Sequence, residues 1–598
     1  MPSSRVFAHT YIVQCSLPAP QDNNARGRAS NLTKIQKIRA KLDSAQPSSL
    51  QTHAMPTICA RKLNEFHPPT CEVISKLIKS SSSASCALDP IPTKLVKTQC
   101  LDTLIHVICM LVTESLQSGE FPNDFKLAHV CPLLKKPTLE RNEYKNYRPV
   151  SNLAFVSKLI EKAVVDQLNT HLLENELMEE FQSAYRKGHS TETALLRVQS
   201  DILCAIDQGK AAFLVLLDLS AAFDTIDHDR LLTFMETQLG IGGTVLKWFR
   251  SYLSNRKQCV FINGAISPAS MLKYGVPQGS VLGPILFCIY MLPLSQMIKR
   301  HNMALHIYAD DTQLYCFFNV KSSTDAGSAL SAMMICIQDV QAWMSQSLLK
   351  LNEDKTEFLV VSSPHCQEYV KNITLRVGDV EVISCKKCRN LGVIFDSKLD
   401  MKDHVASVCR SSFFQLRKIG SIRKFLSDES CATLIHSFVT SRIDYCNALL
   451  ANLPKCVLAK LQKVQNVAAR VLTRTRRYDD ISPVLIDIHW LPLPLRIRYK
   501  VNLLTFKSLH GLGPSYLKNL LCPYSPSVNL RSASKGLLKE HSFKLVTYGH
   551  RAFYVVAPNY WNALPLELRF EQELSTFKAE LKTHLFTLFI TNPELYVF

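Results

Sequence analysis

The 598-residue sequence predicts an α+β fold, and three observations carry that expectation. Phe213-Leu214-Val215-Leu216-Leu217 is a short, wholly apolar run ended by Asp218, the pattern of a buried central strand. Around Ala309-Asp310-Asp311 the apolar alternation reverses: Leu305, Ile307 and Ala309 precede it, and Leu314, Cys316 and Phe318 follow. That predicts a hairpin with two acids at its tip. From Asp403 onward the pattern turns mostly helical.

Along the chain, residues 1–60 are polar with Ser, Gln and Asn clusters and predict a flexible leader or linker remnant. Within them, Asn31–Ala45 is a short basic helix candidate. Ser80–Ser85 is a serine-rich break, and Asp89-Pro90-Ile91-Pro92 opens the next region. A helix is expected over Leu95–Gln117. Strands and helices then alternate to about residue 400. Pro277-Gln278-Gly279 reads as a turn before an apolar helix, Val281–Met291. Val457–Arg477 is the clearest amphipathic helix. Lys460, Lys463, Arg470, Arg474 and Arg477 share a sector of roughly 100°, while Leu458, Leu461, Val464, Ala468 and Leu472 occupy another. The cationic face holds no acid. It is either a solvated face or a surface for nucleic-acid backbone.

Composition narrows the class of partner. The net charge of +19 and pI near 9.1 favour an anionic partner, nucleic acid or membrane surface. No apolar run reaches the roughly 18–20 residues of a spanning helix. Val281–Leu294, the longest, is broken by Pro284 and Pro293, so no membrane is expected as partner. No secretory signal is legible at the start. Twenty scattered cysteines suit a reducing compartment, hence an intracellular location, nucleus or cytoplasm. Cys385-Lys386-Lys387-Cys388 has zinc-like spacing but no second pair at finger distance, so it reads as two free thiols.

The acids point to chemistry. Adjacent carboxylates in an apolar hairpin repel each other, and become sensible beside a divalent cation that wants hard oxygen ligands. Two cations about 3.5–4 Å apart can clamp the oxygens of an in-line phosphoryl displacement. Asp218, at the rim of a central strand, is the expected third carboxylate; the plainer alternative for each acid is a cap or turn residue.

At this point the sequence resembles the reverse transcriptases of non-LTR retrotransposons, of the jockey and chicken-repeat type. Leu217-Asp218-Leu219-Ser220-Ala221-Ala222-Phe223-Asp224 resembles their first palm motif, Tyr274-Gly275-Val276-Pro277-Gln278-Gly279-Ser280 the second, and Tyr308-Ala309-Asp310-Asp311 the third, in the family's order. His489-Trp490-Leu491-Pro492 and Ala557–Pro565 resemble the jockey-type carboxy-terminal region, with both tryptophans expected to be packing residues.

The resemblance implies a right-hand polymerase: fingers and palm (a split βαβ antiparallel sheet) over 61–400, a helical thumb over 401–520, and a helical carboxy-terminal region of unknown role over 521–598. It implies an RNA-directed DNA polymerase that joins dNTPs to a primer 3′-hydroxyl, with RNA template, DNA primer or target DNA and dNTPs as partners. Asp218, Asp310 and Asp311, with the Leu219 carbonyl, are implied to hold two Mg²⁺ ions, Mn²⁺ being the alternative. Phe223, five residues after Asp218, is implied to exclude a 2′-hydroxyl; on spacing alone it could equally be a core ring. Gln278 and Gly279 support the incoming nucleotide. Lys355, in the Leu349–Val361 segment, protonates the leaving pyrophosphate or is a surface lysine. Arg148 and Lys136, the latter chosen over Lys135 for its following proline, hold the triphosphate. Arg186 and Lys187 contact template backbone, and Leu391-Gly392 forms the turn of a primer-gripping hairpin. No endonuclease block is legible upstream. Two alternatives stand: a group II intron-type or other cellular reverse transcriptase, and a truncated, non-catalytic nucleic-acid-binding remnant.

Overall fold

The computed structural model describes residues 62–220, 222–526 and 535–597. The expected leader, with its Asn31–Ala45 helix, lies outside them. Strands run in chain order as β1 (Leu127–Leu134), β2 (Tyr147–Asn152), β3 (Lys210–Leu217), β4 (Leu219–Ser220), β5 (Lys257–Ile262), β6 (Ala265–Ile266), β7 (Ser270–Met271), β8 (Ala304–Tyr308), β9 (Asp311–Asn319), β10 (Lys350–Leu351), β11 (Glu357–Val361), β12 (Thr374–Val377), β13 (Val380–Ile383), β14 (Lys387–Asn390) and β15 (Val393–Asp396). The chain divides into two compact units. The first holds the described residues up to Met178 with Ser220–Pro293 and Met344–Lys350; the second holds Glu179–Leu219, Leu294–Trp343 and Leu351–Phe598.

In the first unit the sheet order is β2-β1-β5-β6, with β7 also on β5; β1 pairs antiparallel with β2 and parallel with β5. The helix expected over Leu95–Gln117 is two helices, Thr93–Thr98 and Leu101–Ser118. The amides of Gln99 and Cys100 both turn back to the Leu95 carbonyl and close the first helix. Gly119, at φ +69, ends the second in the left-handed conformation that glycine adopts without strain. Trp248, fully buried, packs edge-on against Phe66 and Phe121 and stacks on Tyr252. The helix expected from Val281 starts at Gly283, whose amide donates to Ser280 Oγ.

In the second unit an antiparallel sheet has the order β11-β3-β9-β8. The apolar run Phe213–Leu217 lies inside it, as its unbroken hydrophobicity demands. Helix Thr191–Asp207 covers the sheet and begins with a Ser190–Thr193 capping box. Beyond the hairpins β12–β13 and β14–β15 the unit is helical, including Lys402–Ile422, Lys455–Thr473, Leu493–Leu509, Phe553–Asn562 and Leu574–Thr591. A contiguous apolar core links Leu195, Leu214 and Tyr315 to Phe395, Trp490, Trp561 and Phe577, so the carboxy-terminal helices share the sheet's core. Asp207, nearly buried, accepts the amides of Lys544 and Leu545 at 3.0 and 2.6 Å. Both tryptophans are buried, and Trp561 donates to the Gly536 carbonyl, the packing role expected of them.

The amphipathic helix departs from its expected span. It ends at Thr473, and Arg474 turns left-handed at φ +59. Arg423 donates to the carbonyls of Val471 and Leu472, satisfying groups that continued helix would have used. Arg474 and Arg477 therefore leave the helical face, while Lys460 and Lys463 stay on it, exposed. Among the described residues no helix is long and apolar enough to cross a membrane.

Candidate active site

The site grows from β3 and the β8–β9 hairpin, all in the second unit. Antiparallel register pairs Leu217 with Thr312, the last pair of the two strands, so Asp218 and Asp311 are the next residues outward at that end. Tyr308 pairs with Asp311, leaving Ala309 and Asp310 as the tight tip. Ala309 sits at φ +57, a conformation uncommon for a residue with a Cβ. Its amide donates to Gln182 Oε1 at 3.3 Å, an anchor that supports this turn.

Asp218 is held from both ends. Its backbone carbonyl accepts the Asn352 amide at 2.9 Å. Its Oδ2 accepts Lys355 Nζ at 2.8 Å and Asn352 Nδ2 at 3.3 Å. Desolvation at the strand end, then the like charges of Asp310 and Asp218, push the Asp311 carboxyl up to about 6, against the pull of Lys355, although Asp311 keeps an open edge to solvent. The three carboxylates thus act on one another electrostatically, as the reversed alternation and strand-end acid imply.

Among the described residues no three His, Cys, Asp or Glu side chains stand together as a closed metal cage. The donor set nevertheless fits a divalent cation. It is all hard oxygen, its members repel, and Mg²⁺ takes one or two carboxylates with water and substrate phosphate rather than a full protein cage. Cys385 and Cys388 are free thiols at the start of β14.

The other residues of this unit expected to meet nucleic acid fall into two groups. Leu391 and Gly392, at φ +43 and +87, turn the β14–β15 hairpin as expected. Tyr445 OH donates to the Leu391 carbonyl at 2.7 Å. Lys187 is exposed, whereas Arg186 donates to the carbonyls of Glu179 and Gln182, at 2.5 and 3.0 Å, and braces its own turn. Arg470 likewise donates to the carbonyls of Arg476 and Asp479.

The expected nucleotide residues lie in the first unit. Lys136 is exposed in the turn after β1, and Arg148 is exposed on β2 opposite Leu133. Phe223 is half-buried and stacks on Phe287 with centroids 4.8 Å apart. The Gln278 carbonyl accepts the Ser151 amide at 2.7 Å, and Gly279 sits at φ +132 with its Cα hard against the Ser151 carbonyl. Glu161 escaped the sequence reading. Fully buried, it accepts the amides of Val281 and Leu282 at 2.7 and 3.0 Å and fixes the exit of this loop. No local signal marks it: Lys162 follows it, and helix Phe155–Glu174 carries two further acids, Asp166 and Glu174.

Three carboxylates at neighbouring strand ends suit divalent-metal chemistry on phosphoryl groups. Residues 134–395 match the family Reverse transcriptase (RNA-dependent DNA polymerase). Relatives from transposons and mobile elements resemble the chain. The chain is 26% identical over 380 residues to the probable RNA-directed DNA polymerase from transposon BS of Drosophila melanogaster, covering 61% of this chain and 40% of that protein. It is 24% identical over 419 residues to the corresponding protein of transposon X-element, covering 69% and 44%. It is 25% identical over 355 residues to the RNA-directed DNA polymerase from mobile element jockey of Drosophila funebris, covering 58% and 37%. The matched stretch spans less than half the length of each of these relatives.

Proposed function

We propose that the chain copies a transposon RNA into DNA, adding dNTPs to a primer 3′-hydroxyl, in which target DNA supplies the primer. The observation that supports this reading is the pairing of Leu217 with Thr312, which leaves Asp218 and Asp311 as the next residues at that strand end, with the charges of Asp218 and Asp310 acting on Asp311. Asp218, Asp310, Asp311 and the Leu219 carbonyl would hold divalent ions, Mg²⁺ by the hardness of the donors, with Mn²⁺ as substitute. Such ions supply charge neutralisation at the transferring phosphoryl group.

The chain's own residues bind and orient. Arg148 forks onto phosphate oxygens and Lys136 offers a point charge. Gln278 and Gly279 support the incoming nucleotide through a loop braced by Ser151 and Glu161. Phe223 excludes the 2′-hydroxyl with a ring fixed by Phe287. Lys355 donates a proton to pyrophosphate. Lys187, the Leu391-Gly392 turn, Lys460, Lys463, Arg474 and Arg477 contact nucleic-acid backbone, while Arg186 and Arg470 hold the loops that present it. In this reading 61–400 acts as fingers and palm, 401–520 as thumb, and the protein works in the nucleus or cytoplasm.

The test is extension of a DNA primer on an RNA template with Mg²⁺ and dNTPs. Activity is expected from the chain and none from Asp310→Ala. Equal activity in both would overturn the reading.

A further inference from the structure

Tyr516, from the helical part of the second unit, reaches the segment that packs beside β8. Residues 181–183 run beside β8 as a short parallel bridge: the Ile307 amide donates to the Phe181 carbonyl at 2.9 Å, and the Ser183 amide to the Ile307 carbonyl at 3.0 Å. This segment also supplies Gln182, whose Oε1 accepts the Ala309 amide next to Asp310. What fixes the segment itself is a buried chain of side chains. Ser183 Oγ lies 2.8 Å from His306 Nε2 and 2.8 Å from Tyr516 OH, and Tyr516 OH donates to Thr193 Oγ1 at 2.9 Å. Thr193 Oγ1 donates in turn to the Ser190 carbonyl.

Proton counting gives this chain one direction. Each hydroxyl has a single hydrogen. Thr193 spends its hydrogen on Ser190, and Tyr516 on Thr193, so Ser183 donates to Tyr516 and His306 Nε2–H donates to Ser183. That order requires a proton on His306 Nε2, and the surroundings of Nδ1 keep the ring otherwise neutral. His306 Nδ1 is buried without a hydrogen-bond partner, and burial, then the charges of Arg197 and His189, push the imidazole down to about 3. Tyr516 is itself fixed: fully buried, stacked on Phe181, edge-on to His306, with its carbonyl accepting Arg197 Nη1.

We propose that Tyr516 is a positioning residue for the Asp310–Asp311 hairpin, acting through Ser183 and His306, so that the helical region 401–520 completes the polymerase's active site. The inference rests on the polymerase reading above. Losing the hydroxyl leaves the Ser183 hydroxyl hydrogen without its acceptor in a buried setting and loosens the segment that anchors Ala309.

The experiment compares the full chain with Tyr516→Phe, which keeps the ring. Hydrogen exchange at the amides of Ile307 and Ala309 is expected to quicken about tenfold, the equivalent of one buried hydrogen bond. Primer-extension kcat is expected to fall about tenfold, with KM for dNTP within about twofold, because positioning and not nucleotide binding is impaired. Ser183→Ala added to Tyr516→Phe should cost little more than Tyr516→Phe alone, since both break one chain. Wild-type exchange and kcat in Tyr516→Phe, or fully additive losses in the double variant, would overturn the proposal. Should Tyr516→Phe fail to fold, Ser183→Ala carries the same exchange and kcat test. If the unaltered chain extends no primer, the polymerase reading fails, while the exchange rates still decide whether Tyr516 holds the hairpin.

Discussion

Lys355 Nζ lies 2.8 Å from Asp218 Oδ2, although 137 residues separate them in the chain. The ammonium sits on a carboxylate oxygen that a divalent cation would also seek. Lys355→Met should therefore lower the Mg²⁺ concentration for half-maximal activity by about two- to fivefold, the worth of an exposed ion pair. It should also lower kcat by about 10²-fold through loss of the general acid. A Mg²⁺ titration of primer extension measures both. Unchanged kcat would reduce Lys355 to a surface charge.

Phe223 rests on Phe287, which leaves the ring little freedom to retreat from a substrate sugar. Phe223→Val shortens it. Discrimination of dNTP over the matching ribonucleotide, measured as the ratio of kcat/KM values, should fall on the order of 10–100-fold. A variant that discriminates like the parent would make Phe223 a packing residue.

Gly279 admits no side chain. A Cβ there would meet the Ser151 carbonyl oxygen at 2.3 Å, on a backbone at φ +132. Gly279→Ala must displace β2 or the loop, so KM for dNTP should rise by about tenfold or more while the melting temperature moves by only a few degrees. Steady-state kinetics beside a thermal melt separates the two effects; equal nucleotide affinity would show that the loop does not meet the nucleotide.

His306 makes stability pH-dependent with a definite sign. Its folded pKa, about 3, lies below the ordinary value of about 6.5. The stability it contributes is full above about pH 6.5 and is lost as pH falls toward 3. His189 and His404, each pushed down to about 4 by burial, act in the same direction. In melts between pH 7 and 4, His306→Asn should show a shallower slope than the parent, by about one proton, while retaining part of it. Parallel slopes would mean that His306 titrates alike folded and unfolded.

The features that the sequence made legible are those that local patterning writes. An unbroken apolar run could only be an inner strand, and β3 is one. The reversal of alternation at Ala309-Asp310-Asp311 located the hairpin tip because period-two strands change phase at a turn. Termini set by distant groups were not legible. Arg423, fifty residues upstream, receives the end of helix Lys455–Thr473, and so Arg474 and Arg477 left the face that helical spacing assigned them. The break after Thr98 depends on two amides sharing the Leu95 carbonyl, which no residue type announces. The Lys355–Asp218 pair, the Glu161 cap and the Tyr516–Ser183 contact are single polar meetings between far segments, and they leave no period to detect.

The Ser183–Tyr516 contact closes over 333 residues. At about 5–20 residues per second, a ribosome delivers its two halves roughly half a minute apart. The acids of the hairpin emerge early in that interval, and the tyrosine that steadies them arrives near its end. A nascent chain thus carries these carboxylates for tens of seconds before the tyrosine hydroxyl has been made.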